Sequence, residues 1–191
     1  MNTKQLILMI ITCCLTMNVM ATGNETNNKT TMNSNSKTLV AYFSATGTTM
    51  EAATTLAKVA KADLYEIQPE TPYTAADLNW NNKSSRSSIE MADKSSRPAI
   101  TGKVENMAQY DTVFVGFPIW WYIAPTIINT FLEQYDFSGK TVIPFFTSGG
   151  SGAGETLKYL KPSAPDAHWV SPKNLNYMSE AEMKTWVESL K

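Results

Sequence analysis

The 191-residue chain has two cysteines and one histidine. Both cysteines, Cys13 and Cys14, fall in an N-terminal stretch that reads as removable. Without it the chain has no thiol, which excludes disulfides, thiolate catalysis and cysteine metal sites. His168 is the only imidazole, and no cluster of His, Asp and Glu has metal-ligand spacing. Lying at the start of a predicted strand, His168 suits a structural or exposed role better than a catalytic one. Charge of one sign is missing too. The 16 Lys+Arg nearly balance the 17 Asp+Glu, for a net charge of −1, so there is no basic face for nucleic acid.

A long apolar run is also absent. Residues 1–21 combine a short positive start (Lys4), an apolar stretch from Leu6 to Leu15, and the small-x-small sequence Val19-Met20-Ala21. The stretch is too short, and too interrupted by Thr12, Thr16 and Asn18, for a stable membrane span. It reads as a signal peptide cleaved after Ala21, which predicts export, in a bacterium to the periplasm. The competing reading is a lipoprotein with Cys13 or Cys14 lipidated. Residues 22–36 form a polar tether with no apolar period. Loss of Lys4 with the leader leaves 15 basic and 17 acidic side chains, a net charge of −2.

From residue 37 to residue 191 the length fits one domain, in which strand and helix signals alternate. This pattern predicts an α/β fold, a parallel sheet covered on both faces. Strands are expected at Thr38–Ser44, Ala62–Gln68, Asp111–Phe117, Thr141–Phe146 and His168–Leu175. The third is a continuous apolar run of the kind buried on both faces. The first helix is expected from Thr49 to Lys61, with Met50, Leu56 and Val59 inward. Another starts at Pro125 and buries Ile127, Ile128, Phe131, Leu132 and Tyr135. A short helix is expected around Glu155–Lys161. The last opens with the capping box Ser179–Glu182 and buries Met183, Trp186, Val187 and Leu190. The segment Thr71–Asn106 exceeds the minimal plan. It predicts a helix near Ser84–Asp93 and suits a lid or a substrate wall, with Tyr73 and Trp80 as candidates alongside Tyr122.

Ligands of such sheets sit at the carboxyl ends of the strands, and three central ends here have unusual composition. The first runs into Ser44-Ala45-Thr46-Gly47-Thr48-Thr49, a hydroxyl-rich turn before a helix. It can wrap a phosphate monoester with backbone N–H groups and hydroxyls, helped by the helix N-terminus. It has no Lys or Arg, which points to one terminal phosphate rather than a nucleoside triphosphate. An ordinary turn with a Thr cap fits the hexapeptide equally. The third strand ends in Pro118-Ile119-Trp120-Trp121-Tyr122, an aromatic surface or, alternatively, core. The fourth ends in Thr147-Ser148-Gly149-Gly150-Ser151-Gly152, exposed backbone donors or, alternatively, a flexible linker. Gly150-x-Gly152 fails as a dinucleotide fingerprint because its third glycine would fall at Glu155. Gly139-Lys140-Thr141 fails as a P-loop end because position 134 is Gln. A phosphate anchor, a stacking face and polar-edge donors together suit FMN.

Three stretches, Gly116–Trp121, Phe131–Lys140 and Pro144–Gly152, occur in the order seen in bacterial flavodoxin-like FMN-binding proteins. With Ser44-x-Thr46-Gly47-x-Thr49 they make residues 38–176 resemble the flavodoxin family. The resemblance implies a three-layer sandwich of five parallel strands in the order 2-1-3-4-5, of which flavodoxins are the standard example. It implies non-covalent FMN binding and redox chemistry. Bulky rings exposed beside Pro118 are costly unless covered, which favours Trp120 against the ring and Trp121 next. Many flavodoxins have a glycine in the third-strand loop whose peptide turns over as the ring gains one electron. No glycine lies between Pro118 and Pro125 here. The expectation is therefore a two-electron oxidoreductase acting on a quinone-like or other small acceptor. The near-neutral charge supports this, since docking to redox proteins favours strong charge. The alternatives are a one-electron shuttle to protein partners and an exported flavin- or partner-binding domain without turnover. The electron donor and acceptor are unnamed, and a homodimer stays open.

Overall fold

Alternation along the central strands sends successive side chains to opposite faces of one sheet, and both faces are apolar. Leu39, Ala41, Val113, Val115, Phe117, Val142 and Phe146 belong to one buried layer. Val40, Tyr42, Phe114, Ile143 and Phe145 belong to the other. A sheet so composed must be covered by helices on both sides. The computed structural model describes residues 37–190, and the expected leader and tether lie outside the described residues.

The strands of the main sheet are β1 (Lys37–Tyr42), β2 (Asp63–Glu66), β5 (Tyr110–Pro118), β6 (Thr141–Thr147), β7 (His168–Trp169) and β8 (Lys173–Asn174). Their order is β2-β1-β5-β6-β7, with β8 also on β6 and every pairing parallel. This is the expected 2-1-3-4-5 order. The fifth strand departs from expectation by splitting into β7 and β8. Pro172, which has no N–H to give the ladder, lies between the pieces. Both still reach β6, through Val170 N–H to the Val142 carbonyl and Leu175 N–H to the Phe146 carbonyl.

The helices are α1 (Thr48–Ala60), α2 (Arg86–Ala92), α3 (Ile127–Leu132), α4 (Thr156–Leu160) and α5 (Glu180–Ser189). Among these, α1 and α5 cover one face together. The inward stripe of α1 is Thr49, Ala52, Ala53, Leu56 and Ala57. Met50, expected inward, is 43% exposed. The small residues set the buried face one position earlier, and Met50 is turned about 100° from it. The capping box of α5 forms as expected, with Ser179 and Glu182 satisfying each other's backbone N–H groups. In the long excursion, α2 is capped by Ser85. The two-stranded ribbon of β3 (Gln68–Pro69) and β4 (Ile100–Thr101) closes the excursion at its base.

Gly116, in β5, pairs with Phe145 across the ladder, and the Phe145 ring lies over its Cα. A methyl group there would meet that ring well inside contact distance. The Gly116→Ala variant is expected to lose about 1–3 kcal/mol by overpacking. Chemical denaturation reads this directly, and unchanged stability would show that the ring can move aside.

Candidate functional site

Four loops converge at the carboxyl end of the sheet, following β1, β5, β6 and β8. With the first turns of α1 they enclose a cavity of about 560 Å³. That size suits a small-molecule ligand.

The first loop contributes Ala45, Thr46, Thr48 and Thr49 to the lining. Gly47 caps α1 at φ 94°, a left-handed angle that favours glycine, and its N–H donates to Ser44 Oγ at 3.1 Å. The earliest N–H groups of α1 have no acceptor within the helix and carry its partial positive charge. Ser44 and Gly47 therefore shape the turn without lining the cavity. Thr49 is only 1% exposed, and its Oγ1 lies 2.8 Å from Thr147 Oγ1. Its hydroxyl ties two loops together, which leaves Thr46 and Thr48 as the open hydroxyls. Among the described residues, the lining has no Lys or Arg, and Glu51 is its one charged side chain. An anion here would be met by neutral donors and a helix end.

Pro118, Ile119 and Trp120 line the cavity from the second loop. Trp120 is half-buried, 5.6 Å from Phe43 and 5.3 Å from Tyr73, edge-on to both rings. Trp121 and Tyr122 do not line it. They occupy the two central positions of a tight turn at φ 46° and 66°, and are 41% and 71% exposed. The turn is closed by Trp120 N–H to the Ile123 carbonyl at 2.9 Å and Ile123 N–H to the Trp120 carbonyl at 3.1 Å. Two positive φ angles are the signature of a type I′ turn, ordinarily built from Asn and Gly. Gly154 braces it from outside, since a Cβ there would collide with the Tyr122 carbonyl oxygen.

From the third loop, Thr147, Ser148 and Gly149 line the cavity, whereas Gly150, Ser151 and Gly152 do not. The loop curls onto itself: Ser148 Oγ donates to the Ser151 carbonyl at 2.6 Å and accepts from Gly150 N–H at 3.2 Å. This consumes the Ser148 hydroxyl and turns the later residues away.

The fourth wall was not anticipated. Leu175, Asn176, Tyr177 and Met178 line it with Met183 of α5, and Glu51, Ala52 and Thr55 continue it along α1. The strand-end rule that flagged the other loops applies equally to the fifth strand, and Asn174-Leu175-Asn176-Tyr177 is the polar and aromatic signal.

Segment 71–106 stands behind Trp120. Tyr73 donates to Glu90 at 2.6 Å, the Arg86 guanidinium lies 4.0 Å from its ring centroid, and Arg86 pairs with Glu90 at 2.7 Å. Burial above all, then the Glu90 hydrogen bond, holds the Tyr73 phenol far above its ordinary range, so it stays a donor. Trp80 is exposed and does not line the cavity. Among the described residues, no group of His, Cys, Asp and Glu is placed to hold a metal ion, and no helix is long and apolar enough to cross a membrane.

Tyr73→Phe keeps the ring contact and deletes the bond to Glu90. It is expected to cost about 1.5–3 kcal/mol, the range for a hydrogen bond to a charged group, measured by denaturation. Tyr122→Gly is expected to raise the stability of the ligand-free chain by about 0.5–1 kcal/mol, because the left-handed angle of φ 66° penalises any side chain and the residue is 71% exposed. A clear fall would mean that Tyr122 is held without strain.

The flavodoxin family profile matches residues 37–190. A protein of Bacteroides eggerthii DSM 20697, named as an inferred flavoprotein, is 54% identical. The match covers 82% of this chain and 98% of that one, with a TM-score of 0.78. A similarly named protein of Bacteroides uniformis ATCC 8492 is 53% identical over 80% of this chain and 98% of its own, with a TM-score of 0.77. A flavoprotein of Lactobacillus acidophilus NCFM, solved in complex with FMN, shares the fold at 22% identity. That match covers 79% of this chain and 98% of that one, with a TM-score of 0.61. No curated protein matches the chain. The profile match spans the whole described domain, and the chain belongs to the flavodoxin family.

Proposed function

We propose that this protein binds FMN in the carboxyl-end cavity and works as a two-electron oxidoreductase on a quinone-like or other small aromatic acceptor. The carrying observation is the cavity itself. A helix N-terminus, the open Thr46 and Thr48 hydroxyls, the Trp120 side chain and the Gly149 backbone all line it, the Ser148 main chain being held by Asn176. Those residues fit a neutral-donor phosphate anchor, a ring face and polar-edge donors. When bound, FMN supplies a ring that can accept and release electrons singly or in pairs.

The turn after β5 supports the paired mode. A peptide that turns over between redox states needs a backbone free to change its angles. Here the turn is closed by two hydrogen bonds, packed through buried Ile123 and Ala124, and backed by Gly154. With no glycine in it, either orientation leaves side chains to accommodate. The net charge of −1 also suits a small substrate better than electrostatic docking to a protein partner. Export to the periplasm, supported by the sequence of residues 1–21, completes the proposal.

Thr46→Val removes one of the two open hydroxyls. It is expected to weaken FMN binding by about 1.5–3 kcal/mol, the range for hydrogen bonds to charged groups, in a flavin fluorescence titration. Unchanged affinity would displace the phosphate from this turn. Anaerobic stepwise reduction of the FMN-loaded chain is expected to pass from oxidised to fully reduced spectra with no third species. Accumulation of a third spectrum would instead favour a one-electron carrier.

A further inference from the structure

Tyr177 is fully exposed to solvent and yet lines the cavity. Its backbone sits at φ 57°, a left-handed conformation that a bulky side chain adopts at a cost. Such a residue persists only where the surroundings dictate it. Here they do so through the preceding residue. Asn176 clamps the main chain of Ser148 in both directions, its Oδ1 accepting from Ser148 N–H at 2.9 Å and its Nδ2 donating to the Ser148 carbonyl. Asn174 Oδ1 accepts from Asn176 N–H at 2.8 Å, and Met178 N–H closes the turn onto the Leu175 carbonyl. The loop is thus fastened on both sides of Tyr177, and the one side chain it leaves uncovered is an aromatic ring at the rim of a ligand-sized cavity. An exposed aromatic held in this way has apolar surface to offer and no group among the described residues to receive it.

We propose that Tyr177 is a stacking platform for a planar aromatic ring system, forming the wall of the cavity that the sequence motifs do not mark. That ring comes from one of two sources, the flavin or the acceptor that exchanges electrons with it. The second source rests on the function proposed above.

Two titrations of the full chain, wild type and Tyr177→Ala, decide the matter. One measures FMN affinity by fluorescence. The other measures 1,4-naphthoquinone affinity, with FMN bound where FMN binds. The side chain is packed against none of the described residues, so its removal leaves the fold intact, and Tyr177→Phe keeps the ring as a control. Tyr177→Ala is expected to weaken one of the two affinities by about threefold to tenfold, the range for an aromatic pair, while Tyr177→Phe retains it. A loss confined to FMN assigns the platform to the flavin, and a loss confined to naphthoquinone assigns it to the acceptor. If both affinities are unchanged in Tyr177→Ala, the stacking proposal is overturned and the FMN reading stands. A wild-type chain that takes up naphthoquinone but no FMN overturns the FMN reading, and the naphthoquinone arm still tests Tyr177. A wild-type chain that takes up neither overturns both.

Discussion

Every loop of the cavity is fastened to two residues at the end of β6, Thr147 and Ser148. The Thr147 carbonyl accepts Ile119 N–H at 2.8 Å, which fixes the loop after β5. Its hydroxyl meets Thr49 at 2.8 Å, which fixes the start of α1. The Ser148 main chain is taken up by Asn176, which fixes the loop after β8. Thr147 ends and Ser148 follows a strand buried on both faces, so their positions derive from the core rather than from solvent-exposed turns. Buried polar atoms demand partners, and here meeting that demand also sets the spacing of the walls.

The electrostatics of the site follow from the same economy. With no Lys or Arg among the described lining residues, an anion would be recognised by N–H groups, hydroxyls and the end of α1. Such donors are directional and fixed by the backbone, so they discriminate by geometry. Glu51, one turn into α1, adds negative charge at the rim. A ligand bearing several phosphates would meet that carboxylate without a cation to compensate.

The sheet order and the two apolar layers were legible because period-two alternation and burial on both faces follow from the same residues. The helix boundaries were nearly so, and Ser179–Glu182 marked its helix through a local, reciprocal pair of bonds. The burial of α1 was misread at Met50, where size suggested core but the stripe of Thr49, Ala52 and Ala53 chose the face. The site was legible in its strand-end loops and not in its details. Nothing local in the sequence shows that Ser148 spends its hydroxyl on Ser151, or that Thr49 faces Thr147 across 98 positions. Nor does sequence separation hint that Tyr73, Arg86 and Glu90 form the back of Trp120.

Aromatic residues at left-handed angles set two turns apart, since the other described non-glycine residues with positive φ are Lys61 and Asn106. Trp121, Tyr122 and Tyr177 all hold positive φ, and all three expose their rings. Glycine or asparagine would satisfy each of these backbones at lower cost. A folding argument alone offers no reason for aromatic side chains at Tyr122 and Tyr177, because such exposed rings contribute little burial. Each turn is instead over-determined from behind: the first by paired bonds and Gly154, the second by Asn176 and the Ser148 backbone. Rings presented on turns that cannot relax lose little freedom when they meet a flat partner, so the conformational cost is met in folding rather than in binding. Trp120 differs in being locked by Phe43 and Tyr73, with its face set by packing. The site therefore joins a fixed wall, set by the core, to one fully exposed ring at its lining, Tyr177, for which the proposed stacking role would account.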